Sequence, residues 1–172
     1  MKKIFFAAVA AVIYLTSCND AATTKTSDAR EKNMAANDGI SKAFETGDVS
    51  KLDSFVSADF VDHTDRGDKK GIDSLKAMVT MVHGSFKDMK QEKVHEVADD
   101  DYVFSWMHYT GTSDGAMGMP KGPYSMNAIE VSKCKDGKAT EHWGFVDMKE
   151  MMKMMPQPNM GDMNKIDTVK MK

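Results

Sequence analysis

The chain has no Gly-x-Ser-x-Gly elbow, no Gly-rich phosphate loop and no Cys-x-x-Cys pair. Serine hydrolase, nucleotide-binding and thiol-redox chemistries therefore find no support. It also lacks a His-x-x-x-His pairing and any Glu-x-x-His pairing at a helical position, and His83 and His95 read as exposed, so no metal site is expected. After the first fifteen residues no apolar run approaches the about 20 residues that a membrane-spanning helix needs. Basic residues are not in excess: 23 Lys and Arg stand against 26 Asp and Glu, a net charge of −3. Nucleic acid is accordingly not expected as a partner.

What is present begins at the N-terminus. Lys2 and Lys3 precede an uncharged apolar stretch from Ile4 to Leu15, which ends at Leu15-Thr16-Ser17-Cys18. This is the layout of an export signal, and its last four residues resemble the lipobox of bacterial lipoproteins. The resemblance implies removal of residues 1–17, diacylation of Cys18 and a membrane-anchored life in the bacterial cell envelope. Each buried CH₂ of an acyl chain contributes about 0.8 kcal/mol of anchoring. Without Lys2 and Lys3 the mature chain carries 21 basic against 26 acidic residues, a net charge of −5. Cys134 would then be the only remaining thiol, so no intramolecular disulfide is available and the fold rests on its core. Roughly 150 mature residues suffice to bury about two-thirds of the unfolded surface, enough for one domain.

Residues 18–31 are small and polar and read as a flexible tether. From about Glu31 a helical stripe of Ala36, Ile40, Ala43 and Phe44 runs until Gly47. Asp48 can cap a second helix bearing Val49, Leu52, Phe55 and Val56. Asp59 to His63 alternates as a short strand before the turn-prone run Thr64 to Asp68, and a third helix carries Ile72, Leu75, Val79, Val82 and Phe86. Four strands follow, at roughly Met89–Val97, Tyr102–Thr112, Tyr124–Lys133 and Ala139–Asp147, with a hairpin signal at Lys135-Asp136-Gly137-Lys138. Helices first and an antiparallel meander afterwards define an α+β domain over residues 32–155. The tail from Met151 holds seven of the seventeen methionines and reads as a short helix followed by disorder over 156–172.

Six segments carry a family resemblance: Phe44-Glu45-Thr46-Gly47-Asp48 with Leu52, Asp59-Phe60-Val61-Asp62-His63, Gly71, Tyr109-Thr110-Gly111-Thr112, Gly118-Met119-Pro120, and Asp136 to Trp143. In that order and spacing they resemble the SnoaL-like polyketide or ester cyclases of the NTF2-like superfamily. The resemblance implies a cone-shaped curved antiparallel sheet packed on about three N-terminal helices, a deep and mainly apolar cavity, and dimerisation through the sheet. Family cyclases often read Glu-His-Trp-Asp with the Asp as cavity acid/base; here the fourth position is Gly144. Many relatives also have a His where this chain has Ser113.

His63 closes the first strand where the family places a pocket His, and an imidazole there acts either as a donor or base or as a structural hydrogen-bonding group. His142 shares a face of its strand with Gly144, and the resemblance turns that face toward the cavity, where His63 and His142 would approach each other. Glu130 stands in the otherwise apolar Ala128-Ile129-Glu130-Val131, either buried as an acid/base or pointing to solvent. Phe60, Trp106, His108, Asn127 and Trp143 are the expected pocket lining, although either Trp106 and His108 or Met107 and Tyr109 could face inward. Met151, Met152, Met154, Met155, Met117 and Met119 could offer thioethers to Cu(I), or simply fill apolar gaps; no cofactor is expected. The leading functional expectation is an exported, lipid-anchored pocket that binds a small hydrophobic or amphipathic molecule without transforming it. Its rivals are a cyclase, isomerase or hydratase using His63, His142 and Glu130, and a protein-interaction or homodimerisation module.

Overall fold

The structure, a computed structural model, describes residues 20–155, with side-chain surroundings from Asp28 onward. The signal segment, Cys18 and the tail from 156 lie outside the described residues. The elements in chain order are α1 (Asp20–Thr46), α2 (Leu52–Phe55), β1 (Val56–His63), β2 (Lys69–Lys70), α3 (Ile72–Ser85), β3 (Phe86–Ala98), β4 (Tyr102–Ser113), β5 (Gly122–Lys135), β6 (Lys138–Val146) and α4 (Met148–Met154). No helix among the described residues is long and apolar enough to cross a membrane.

One six-stranded sheet, ordered β2-β1-β6-β5-β4-β3, organises the chain. It is antiparallel except for β1 and β6, which run parallel. Register shifts interrupt β1, β3 and the β5–β6 pair, and Asp88 takes φ +52° at the β3 irregularity. Bulges of this kind bend strands and increase their twist, so the long strands curl over the helices. The expected hairpin forms at Asp136 (φ +53°) and Gly137 (φ +75°), the left-handed pair that a tight Asp-Gly turn requires.

Helical boundaries depart from the sequence reading in three places. The first helix already spans Asp20 to Glu31, so the described part of the segment read as a tether is helical. The second helix is a single turn, and Val56 already belongs to β1. Asp48 accepts from the Ser50 amide at 2.9 Å and so closes a turn rather than capping a long helix. Phe86, read as the end of the third stripe, opens β3.

The helices cover one face of the sheet. Ala43, Leu52, Leu75 and Val79 pack with Val56, Phe60 and Ala139 in one core cluster, and Phe86, Met119 and Tyr124 form a second with Val82, Met89, Tyr109, Met126 and Met154 against them. A polar seam fixes α1 to the sheet: Asn37 Nδ2 donates to Ser105 Oγ at 3.1 Å and to Glu96 Oε1 at 3.2 Å, while Ser132 Oγ donates to Asn37 Oδ1 at 3.0 Å. Satisfied buried networks of this kind select one docking of a helix over its alternatives.

Gly39 lies inside α1, where glycine costs about 1 kcal/mol relative to alanine. A Cβ there would overlap the Phe55 ring, so the glycine is what lets α2 close onto α1. Gly39→Ala is therefore expected to destabilise the domain by about 1–3 kcal/mol despite the better helix propensity. Urea unfolding measures it, and a stabilised variant would contradict this packing account.

Candidate functional site

The site arises from strand register. Asp62 on β1 lies opposite His142 on β6, Glu130 on β5 opposite Gly144, and Ser105 on β4 opposite Glu130. Side chains on opposed residues share a face, and this is the face on which Phe60, Val103, Met107 and Ala128 are buried under the helices. Four polar side chains meet there. His142 Nδ1 lies 2.8 Å from Asp62 Oδ1, His142 Nε2 lies 3.0 Å from Glu130 Oε2, and the Tyr109 hydroxyl donates to Glu130 Oε1 at 3.0 Å.

Water still reaches this quartet: the side chains of His142, Glu130 and Asp62 are 29%, 21% and 17% exposed. Phe60 of the first core cluster shares the face of Asp62, and Tyr109 packs into the second cluster, so the polar chain spans the ground between two apolar masses. Burial works against a charge on His142, but the hydrogen bonds and charges of Asp62 and Glu130 outweigh it and raise its pKa to about 9. At neutral pH the ring is an imidazolium between two carboxyl groups. Burial, reinforced by the charge of Glu130, pushes the Tyr109 hydroxyl far up, so the phenol keeps its proton as a donor.

His63 belongs to the other face. It lies opposite Trp143, one residue beyond the Asp62–His142 pair, and successive strand residues point to opposite sides. There its Nδ1 is 2.9 Å from Asp68, its Nε2 is 2.9 Å from Glu141, and its ring stacks on Trp143 at 4.6 Å. The expected approach of His63 to His142 does not occur; the sheet separates them.

Most of the expected lining is also placed elsewhere. Trp106 is 47% exposed on the outer face, His108 pairs with Asn127 at 3.1 Å, and Asn127 Nδ2 donates to Glu150 of α4 at 2.8 Å. Trp106 and Asn127 line a shallow outer groove of about 280 Å³ with Ile129 and Phe145. Phe60, 2% exposed, is core rather than wall. Of the two alternatives for β4, Met107 and Tyr109 face inward, because Met107 packs beneath the helices while Trp106 meets solvent.

Glu130, left open between a buried and a solvated position, thus meets His142, and Asp62 and Tyr109 are the members of the candidate site that sequence reasoning missed. The signal for Asp62 was parity: two residues after the apolar Phe60, it must share its face. Ser113 is buried and accepts from the Gly115 amide at 3.0 Å, closing the turn after β4. Among the described residues no group of three or more His, Cys, Asp or Glu side chains converges in a way that could hold a metal. Burial raises the Cys134 thiol to about 11, which leaves it unreactive.

A curved sheet wrapped over helices, with a polar cluster on its covered face, defines an NTF2-like domain. The chain belongs to the SnoaL-like polyketide cyclase family, whose model matches residues 35–155. No curated protein matches it. Among solved structures it is similar to a SnoaL-like protein from Jannaschia sp. CCS1 (TM-score 0.64, 16% identity, 75% of this chain and 94% of that one). It is also similar to TsrD from Streptomyces laurentii (0.60, 20%, 70% and 94%) and to an LEH-like epoxide hydrolase from M. tuberculosis (0.60, 14%, 72% and 89%). At these identities the likeness speaks for the fold alone.

Proposed function

We propose that this chain is an acid–base enzyme of the isomerase, cyclase or hydratase kind, acting on a small, largely apolar molecule at the cell envelope. The observation that carries this reading is His142 held between Asp62 and Glu130, with Tyr109 on the second Glu130 oxygen, at a place water can reach. Glu130 is the base. Each of its oxygens retains a second lone pair beyond the hydrogen bond it already accepts, so it can take a proton from a substrate carbon and return it at another position. The electron pair left behind moves onto a substrate oxygen, whose developing charge the His142 imidazolium stabilises. Asp62 orients the ring and Tyr109 orients the carboxylate. General acid–base assistance of this sort contributes about 10²- to 10⁴-fold in rate.

The test is deuterium incorporation, read by mass spectrometry, from a panel of enolisable ketones, esters and epoxides incubated with the protein in D₂O. Incorporation or conversion above buffer supports the reading; none across the panel contradicts it. Binding without transformation is the second reading, favoured by one feature: both His142 nitrogens and both Glu130 oxygens are already engaged inside the protein.

Two further features belong to the proposal. Cys18 anchors the mature chain through its acyl groups, so Cys18→Ser is expected to move the protein from the membrane to the soluble fraction on cell fractionation. The outer face, where Phe104, Trp106, Ile129 and Phe145 are all at least 40% exposed, pairs with a second copy, since contiguous apolar surface of this kind marks association. Trp106→Glu with Phe145→Glu is expected to halve the mass seen by light scattering; an unchanged mass would contradict the homodimer.

A further inference from the structure

Gly144 has no backbone reason to be glycine. It sits in the interior of β6 and does not adopt a positive φ, and glycine within a strand costs about 0.5–1 kcal/mol relative to alanine. What distinguishes the position is space. A Cβ built there would lie 3.0 Å from Glu130 Oε2 and 3.8 Å from His142 Cε1. Glu130 is its direct cross-strand partner, and that same oxygen lies 3.0 Å from His142 Nε2. The volume that a side chain at 144 would fill is occupied by the Glu130 carboxylate.

We propose that Gly144 is a positioning residue, whose missing side chain admits the Glu130 carboxylate to His142, so that β5 supplies the carboxylate to a place that a side chain on β6 would otherwise fill. This inference rests on the acid–base reading above. Alanine is a weak probe, because Glu130 Oε2 ends a flexible side chain and can yield a few tenths of an ångström. A branched side chain cannot be accommodated in this way. Conversely, the carboxylate is transferable: an aspartate at 144 with Glu130 shortened would stand beside the same imidazole.

The groups that set the titration of His142 are Asp62 from β1 and Glu130 from β5. Tyr109 of β4 stands behind Glu130, and Lys69 of β2 lies opposite Asp62 in register. The experiment is an NMR pH titration of the His142 ring in the mature protein and in Gly144→Val, Glu130→Gln, and Glu130→Ala combined with Gly144→Asp. Removing one neighbouring opposite charge moves a pKa by about 1–3 units. Gly144→Val and Glu130→Gln should each lower the His142 pKa by that amount, and the combined exchange should restore most of it.

Should Gly144→Val fail to fold, Glu130→Gln and the exchange variant still decide the matter. A Gly144→Val protein that titrates like wild type, or an exchange variant that titrates like Glu130→Gln, overturns the proposal. Deuterium incorporation is measured on the same samples. If the pKa pattern holds while the wild type turns over nothing, the acid–base reading fails and the positioning role of Gly144 stands.

Discussion

Glu130→Gln should lower turnover by about 10²- to 10⁴-fold with little change in KM. The amide retains the size of the side chain and can still accept from Tyr109, so the shape of the site is kept. It cannot hold an abstracted proton, and it removes one of the two charges that keep His142 an imidazolium. Steady-state kinetics on any substrate found by deuterium incorporation measures the split. A variant that loses binding while keeping its rate would assign Glu130 to recognition and favour the binding reading. Asp62→Asn should cost less, because Asp62 touches only the far side of the ring.

The second large effect is on stability against pH. In the unfolded chain His142 titrates near its ordinary 6.5, and in the folded protein near about 9. A group whose folded pKa is raised stabilises the fold fully below the unfolded value, and that contribution is lost as pH rises through the folded value. The protein should therefore weaken between about pH 6.5 and 9, by on the order of 3 kcal/mol from this group. His63 acts in the same direction, through its hydrogen bonds to Glu141 and Asp68. His142→Gln should flatten most of the slope, whereas His63→Gln should leave most of it. Urea unfolding across that pH range checks both, and an unchanged slope in His142→Gln would remove the half-buried ion cluster from the account.

Much of this architecture was legible because local chemistry and global fold agree. The Ala36–Phe44 stripe, the Leu75–Val79 stripe and the Asp136-Gly137 turn each announce their element, and the structure uses all three. The site was legible only in part. Glu130 stood out as a carboxylate in an apolar strand and His142 through the resemblance that turns its face inward, but their meeting depends on the β5–β6 register, which no single strand encodes. Phe60 and His63 are three residues apart on one strand and so cannot share a face; applied strictly, the two-residue period would have removed His63 from the cavity and brought in Asp62. Tyr109 could not be chosen over Trp106 before it was known which face of β4 the helices cover.

The most direct measurement is the ¹⁵N spectrum of the histidine rings in the wild-type protein at about pH 7.5. The account predicts that the ring assigned to His142, by its loss in His142→Gln, has both nitrogens protonated at that pH and titrates near 9. A His142 ring that is neutral at pH 7.5 and titrates near 6.5 would mean that Asp62 and Glu130 do not close on it, and the proposed acid–base site would fall with them.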